Sequence, residues 1–359
     1  MTGTPPGSPL RVGLVGYGLA GSVFHAPLIA ATEGLALDTV VTSNPDRQRQ
    51  ARAEFPDVRT VAGPDELFDR AAELDLVVIA SPNKTHVPLA KRALEAGLPV
   101  VVDKPLAGTA AEARELAALA EERGLLLSVF QNRRWDNDFL TLRKLLAEGA
   151  LGDVWRFESR FERWRPKPKG GWRESGDPAE IGGSCTTSAA TSSTRPWSCS
   201  ARPPRCTPSP SCGGPARRRT TTPSSRSPTR TASAPTSTSP PPPPSSARAS
   251  GSWARRPGTS STAWTRREAA LREGKRPGPG WGEEDESLWG RVGAGESPVT
   301  GGGRVEATLP GDYPAYYAAV AKALREGGPN PVEAREAAAA LDVLEAARES
   351  ARDGRVVTL

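Results

Sequence analysis

One unit recurs through the first 128 residues: a short Val/Leu/Ile run, a polar or glycine-bearing turn, then an amphipathic helical stretch. LRVGLVGYG runs from a buried strand into a glycine turn, with residues 22–32 as the following helix. LALDTVVTS gives a second strand and residues 47–55 a second helix. LDLVVIASP, LPVVVDKP and LLLSVFQNRR follow, separated by helical runs over 86–96 and 110–123. Strands this apolar are buried on both faces, and parallel neighbours need helical crossovers. The repeat therefore predicts an α/β fold built on a doubly wound parallel sheet. A length of 359 residues leaves room for a second domain, and the expected division is 1–128 and 129–359. In the second part LTLRKLLAEGALG reads as a helix and residues 154–163 as a strand opening an antiparallel sheet. Two amphipathic helices are expected over 313–327 and 331–353, with a strand-like VVTL closing the chain.

Gly16-Tyr17-Gly18-Leu19-Ala20-Gly21 is a G-x-G-x-x-G that directly follows the first strand and opens a helix. The first Gly permits the tight turn, the second lets backbone approach a pyrophosphate, and the third allows close helix–sheet packing. The helix start supplies N–H donors to the anion. An NAD site usually has a carboxylate at the end of the second strand, to hold the ribose 2′-OH. Here that position is Ser43-Asn44, with Arg47 nearby, which suits a 2′-phosphate and favours NADP over NAD; the alternative is that Arg47 is a solvated helix residue.

Three further strand ends carry polar side chains that a doubly wound sheet turns toward its ligand crevice. Ser81-Pro82-Asn83-Lys84-Thr85-His86 places Asn83 and His86 where they could touch cofactor, although His86 equally fits a helix start. Asp103-Lys104-Pro105 brings a lysine to the next strand end. Such a lysine, partly desolvated, can polarise or deprotonate a hydroxyl; a surface role is the alternative. Gln131 and Arg133 end the following strand, as polyol or cofactor donors or as caps of the domain junction.

Residues 182–267 fit neither part. They contain only Gly, Ser, Cys, Thr, Ala, Arg, Pro and Trp, with 13 Arg and no acidic residue. Outside this stretch the chain carries 34 basic and 41 acidic residues, so the overall charge of +6 is local in origin. A flexible linker would be enriched in Glu, Lys and Gln, all absent here, while three Trp and all four Cys are present. The cysteines (Cys185, Cys199, Cys206, Cys212) form no C-x-x-C pair and match no metal spacing. The eight residue types share one property: each has codons with G or C at the second base. In a GC-rich gene nearly every third base is G or C, and slipping one base forward turns each old third base into a new second base. That slip yields this alphabet, which points to a frameshift near Ile181 restored near Glu268.

The whole pattern resembles the glucose-fructose oxidoreductase / inositol dehydrogenase (Gfo/Idh/MocA) family. The resemblance is carried by VGLVGYGLAGSVFHAPLI, VVIASPNKTHVPLAKRALEAG, VVVDKPLAGTAAEARELAALA and SVFQNRRWDNDFLTLRKLL. It continues in FESRFERWRPKPKGGWRESGDPAE, EAALREGKRPGPGWGEE and GDYPAYYAAVAKALREGGPNPV. FHAP and RFERWRP look most like NADP-using scyllo-inositol dehydrogenase-like members. The resemblance implies a Rossmann domain followed by an α/β domain with an open antiparallel sheet that floors the active site and often dimerises. It implies hydride transfer between nicotinamide and a carbinol carbon of a sugar or cyclitol. The family's E-K-P falls on Asp103-Lys104-Pro105, with Asp for Glu, making Lys104 the catalytic lysine. The second signature, G-G-x-L-x-D-x-G-x-H-x-x-D, keeps Gly182-Gly183 and is then replaced. Its Asp, catalytic His and further Asp fall on Thr187, Thr191 and Thr194. Threonine is no general base at neutral pH.

The expected protein is thus an NADP-dependent polyol or sugar oxidoreductase by descent, impaired as written, with a non-catalytic NADP-binding sensor as the alternative. No apolar run approaches the roughly 18 to 20 residues of a membrane span, and MTGTPPGSPL has no signal core, so a soluble cytoplasmic protein is expected. With its basicity localised to 182–267, and too few aromatics there for stacking platforms, no nucleic-acid partner is expected. Resequencing the gene across the codons for residues 180–268 should uncover a compensating pair of single-base shifts; an unshifted gene would refute this account.

Overall fold

The computed structural model describes residues 7–152, Val154, 270–292 and 304–359. The strand expected over 154–163, beyond its first residue, and the segment 182–267 lie outside the described residues.

Six strands form one parallel sheet: β1 (Leu10–Val15), β2 (Leu35–Val41), β3 (Arg59–Val61), β4 (Leu76–Ile79), β5 (Val100–Asp103) and β6 (Leu127–Phe130), in the order β3-β2-β1-β4-β5-β6. Every residue of β4 is buried, as are Val100, Val101 and Val102 of β5. These strands are sandwiched between helix layers, which is why they read as unbroken apolar runs rather than alternating ones. The crossovers are α1 (Ala26–Ala30), α2 (Pro45–Glu54), α3 (Pro64–Phe68), α4 (His86–Glu95) and α5 (Ala110–Arg123). The α5 start shows how local chemistry sets a boundary. Thr109 Oγ1 accepts from the Glu112 N–H at 3.2 Å, and the Glu112 carboxylate accepts from the Thr109 N–H at 3.0 Å. This reciprocal pair satisfies helix N–H groups that would otherwise be orphaned.

The first helix differs from expectation in form. It starts at Ala20 as a π-helical turn through His25 and continues as α1. Both β3 and α3 are additions to the sequence reading: β3 has only Val61 buried among its three residues, so it offers no apolar run to detect.

Helix α6 (Asn137–Ala147) leads out of the sheet domain, and a short antiparallel pair, β7 (Gly290–Val292) with β8 (Arg304–Glu306), belongs to the second part. The two C-terminal helices, α7 (Pro314–Glu326) and α8 (Ala334–Asp353), pack back on the first domain, α7 against α1 and α8 against α5. The link between them seals the β6 edge. Asn330 Nδ2 donates to Leu127 O at 2.8 Å, Val129 N–H to Val332 O at 3.1 Å, and Ser128 bridges to Glu333. Covering the edge removes a row of unpaired backbone groups. The expected terminal strand VVTL does not form: α8 ends at Gly354 in the left-handed region (φ 66°), and only Val357 holds a single bridge position.

Leu14, fully buried in the central strand, reports on this core. Leu14→Ala should cost about 3 kcal/mol through lost burial and the cavity left behind, measured as a lower urea midpoint at unchanged slope.

Candidate functional site

Strand register brings the polar strand ends into one row. Val15 is level with Ile79, Ile79 with Val102, and Asp103 with Phe130. Gly16, Ala80-Ser81, Lys104 and Gln131 therefore leave the carboxyl edge of the sheet side by side. The strand order reverses between β1 and β4, and in open α/β sheets the ligand crevice lies outside such a reversal.

The glycine turn is built for close approach. Gly16 has φ +100°, and a Cβ there would sit 2.8 Å from Ala80 O and 2.9 Å from Ser81 N. A Cβ on Gly21 would lie 2.0 Å from Gly16 O. Neither position tolerates a side chain, because the obstructing atoms are backbone. Gly18 differs: a Cβ there meets only Arg47 Nη1, at 3.8 Å. Its missing side chain keeps the face of the turn open, beside a guanidinium and ahead of a helix start at Ala20. Leu19 is partly exposed on the same turn. This open cradle fits the pyrophosphate of a dinucleotide.

At the end of β2, Ser43, Asn44 and Arg47 are all exposed. Asn44 Oδ1 caps α2, accepting from the N–H groups of Asp46 (2.9 Å) and Arg47 (3.2 Å). Asp46 ion-pairs with Arg49. The cap holds the first turn of α2, and with it Arg47, beside the glycine turn.

After β4, Ser81 Oγ meets Thr85 Oγ1 at 2.5 Å, Pro82 is exposed and Asn83 is buried. His86 is also buried, with Nε2 3.0 Å from Ser81 O and Nδ1 2.8 Å from Pro105 O. Both ring nitrogens are engaged by backbone. His86 thus ties the end of β4 to the loop after β5 instead of offering a nitrogen to a ligand.

Lys104 follows β5, and its peptide bond to Pro105 is cis. Its backbone N–H donates to Asp103 Oδ1 at 2.8 Å. Burial alone would push the Asp103 carboxyl up, but the facing His25, followed by His86 and Lys104, outweighs it. The net position is below the ordinary carboxylate range. After β6, Gln131 Oε1 accepts from Arg134 Nε at 3.0 Å, and Arg134 pairs with Glu336. Arg133 Nη1 donates to Tyr313 OH at 2.7 Å, which donates to Asp136 Oδ1 at 2.7 Å. Gln131 and Arg133 therefore also serve the junction between the sheet and the C-terminal helices. Thr187, Thr191 and Thr194 lie outside the described residues.

Sequence reasoning missed His25 and the buried trio Tyr313, Tyr316 and Tyr317 as neighbours of this row. The FHAP segment held His25 in plain view, but nothing local distinguishes it from a core histidine. Among the described residues no His/Cys/Asp/Glu cluster is suited to a metal, and no helix is long and apolar enough to cross a membrane.

Comparison with known proteins agrees with this layout. The Gfo/Idh/MocA model described as an oxidoreductase family with an NAD-binding Rossmann fold matches residues 10–131, and its C-terminal alpha/beta domain matches 290–359. The uncharacterized oxidoreductase YdgJ of Escherichia coli is 40% identical, covering 96% of each chain. The scyllo-inositol 2-dehydrogenase (NADP(+)) IolW of Bacillus subtilis is 30% identical over 98% of this chain and 96% of its own. Among solved structures, the oxidoreductase YPO2259 of Yersinia pestis superposes with a TM-score of 0.73 at 32% identity, covering 98% of this chain and 97% of its own.

Because the Cβ of an alanine at position 21 would overlap Gly16 O, Gly21→Ala should weaken NADPH binding at least about tenfold by disrupting the turn. A fluorescence titration of the bound dihydronicotinamide checks this.

Proposed function

The chain belongs to the Gfo/Idh/MocA oxidoreductases, a family of NAD(P)-dependent dehydrogenases, and from that premise we propose an NADP-linked dehydrogenase by descent, acting on a CH–OH carbon of a cyclitol or sugar. The observation that carries the reading is the alignment of Lys104 with the glycine turn along one sheet edge, at the reversal of strand order. Arg47 beside Gly18, with no carboxylate at the end of β2, supports NADP over NAD. The likeness to a relative named as an NADP-dependent scyllo-inositol dehydrogenase supports both the cofactor and the polyol class.

In this reading Gly16, Gly18, Leu19, Ala20 and Gly21 receive the pyrophosphate. Ser43, Asn44 and Arg47 take the adenosine end, and the Ser81–Asn83 loop flanks the nicotinamide side. When bound, the cofactor supplies a C4 position that accepts or returns hydride. Lys104, held at the strand end by Asp103, hydrogen-bonds the reacting oxygen of substrate. As an ammonium beside an ionised Asp103 it stabilises negative charge developing there. The two carboxylates and the imidazole expected to complete the proton path fall on Thr187, Thr194 and Thr191, within a segment we read as frameshifted. The literal chain is therefore proposed to keep its cofactor half and to be impaired in turnover. That separation favours a second reading for the polypeptide as it stands: a binder of NADP without catalysis.

Two genes test this, the literal one and one restored in frame across residues 182–267. The literal chain should bind NADPH in preference to NADH and reduce NADP with scyllo- or myo-inositol no faster than background. The restored chain should turn over, and Lys104→Ala within it should lower kcat by about 100-fold or more with NADPH affinity kept. Normal turnover by the literal chain would sink the impairment; a restored chain inert toward every polyol tried would sink the substrate class.

A further inference from the structure

The chain contains two histidines, and the mechanism above uses neither as an acid or base. His86 is spent on backbone carbonyls. His25 is fully buried near Asp103, with the Phe130 ring centroid 4.3 Å from its own and the Tyr317 ring edge-on. Its Nδ1 lies 2.6 Å from Tyr317 OH, while Nε2 has no hydrogen-bond partner and faces Asp103 Oδ1 at 3.9 Å. A buried ring nitrogen aimed at a carboxylate that also receives the Lys104 N–H calls for an explanation.

Proton bookkeeping supplies one. Burial, then the neighbouring Tyr316 and Asp103, push the Tyr317 hydroxyl well above the ordinary phenol range, so it stays a neutral phenol able to donate or accept. The Asp103 carboxylate facing Nε2 can only accept, which favours the ring proton on Nε2 and leaves Nδ1 to accept from Tyr317. A phenol donating to Nδ1 makes that nitrogen the acceptor, which leaves the ring proton on Nε2. The Nε2–H then points toward Asp103.

We propose that His25 is a positioning residue for Lys104: Tyr317 fixes it as the Nε2–H tautomer, and that N–H keeps the Asp103 carboxylate charged and oriented at the strand end. The inference rests on the reading of Lys104 as the catalytic lysine and deepens it. Asp at position 103, where the family resemblance expects Glu, fits the arrangement. A carboxyl one methylene shorter stays at its own strand end, where it accepts the Lys104 N–H. Among the described residues, the titratable and charged groups facing the pair are Asp103 and Lys104 at the end of β5 and His86 at the start of α4. Tyr316 and Tyr317 face it from α7, with Arg134 beyond Tyr316.

The test needs no turnover. In the full chain labelled with 15N-histidine, long-range 1H–15N spectra at pH 8 contain two imidazoles, and His86→Gln assigns them. His25 should appear as the Nε2–H tautomer, and Tyr317→Phe should introduce the Nδ1–H form. In parallel, the pH dependence of Lys104 acetylation, followed by peptide mass spectrometry, reports its apparent pKa. His25→Leu should lower that value by about one unit as Asp103, still ionised but no longer oriented, turns its charge away from the lysine. Asp103→Asn should do likewise, and the double variant should shift it no further than the larger single change. Should His25→Leu not fold, Tyr317→Phe, which removes one oxygen, carries the same expectation with a smaller shift. An Nδ1–H tautomer in the unmodified chain, or a Lys104 titration unmoved by the His25 and Tyr317 changes, overturns the proposal. If instead Lys104→Ala left turnover of the restored chain intact, the dehydrogenase reading would fail while the tautomer and titration results stood.

Discussion

The approach of the Gly16 turn to the end of β4 is the contact on which the remaining geometry depends. A side chain at Gly16 would collide with Ala80 O and Ser81 N, and one at Gly21 would collide with Gly16 O. Three backbone segments thus meet where no Cβ fits. That closeness sets the height of the first helix over the sheet and opens the crevice where strand order reverses. Register then does the rest. Once β1 is fixed against β4, the pairing of β4 with β5 and of β5 with β6 determines where Lys104 and Gln131 emerge. The lysine needs no contact with the glycine loop to be placed relative to it.

The C-terminal helices do more than cover the sheet. Tyr316 OH donates to Ser128 Oγ at 2.9 Å, and Ser128 Oγ donates on to Val332 O at 3.2 Å, so a buried hydroxyl chain replaces what an open strand edge would draw from water. The next residue, Tyr317, reaches His25 beside Asp103. Adjacent tyrosines on one helix therefore serve two tasks, one sealing β6 and the other lying against the layer below Asp103. Trp135 and Phe130 pack edge-on or tilted against them. Residues near the end of the chain thereby line the underside of a site whose motifs lie within the first 131.

What the sequence revealed and what it hid divide along a physical line. Runs such as LVVI and VVVD are legible because strands buried on both faces have no polar alternate face, and α5 is legible because Thr109 and Glu112 sit at capping-box spacing. β3 was hidden because an edge strand with one buried residue leaves no apolar trace, and VVTL misled because a short apolar tail imitates a strand where only the single bridge position at Val357 forms. The positions of the glycine turn, Arg47 and Lys104 were readable from local motif and strand end. The surroundings of His25 were not: its partners are 292 residues away at Tyr317 and across the sheet at Asp103, and no spacing rule encodes either. His86 was readable in position but not in use, since both of its partners are backbone carbonyls that the sequence does not label.

The same division bears on what a damaged middle segment would cost. The NAD-binding Rossmann fold spans residues 10–131, and the C-terminal helices that pack on it return to it from beyond residue 313. Among the described residues, the glycine turn, Arg47 and the end of β4 are placed by contacts within 10–131. Proton transfer is different. Hydride leaving a carbinol carbon obliges the hydroxyl proton to leave as well, and a lysine whose neighbour is an ionised carboxylate is favoured as ammonium, which can polarise but not accept. A second group must then take the proton, and threonine, with no accessible charged form near neutral pH, does not. A frameshift confined to this stretch would therefore uncouple dinucleotide binding from turnover instead of abolishing both. The +6 charge of the chain, arising from the 13 arginines of that stretch, marks the segment where the coupling would be lost and says nothing about an anionic partner.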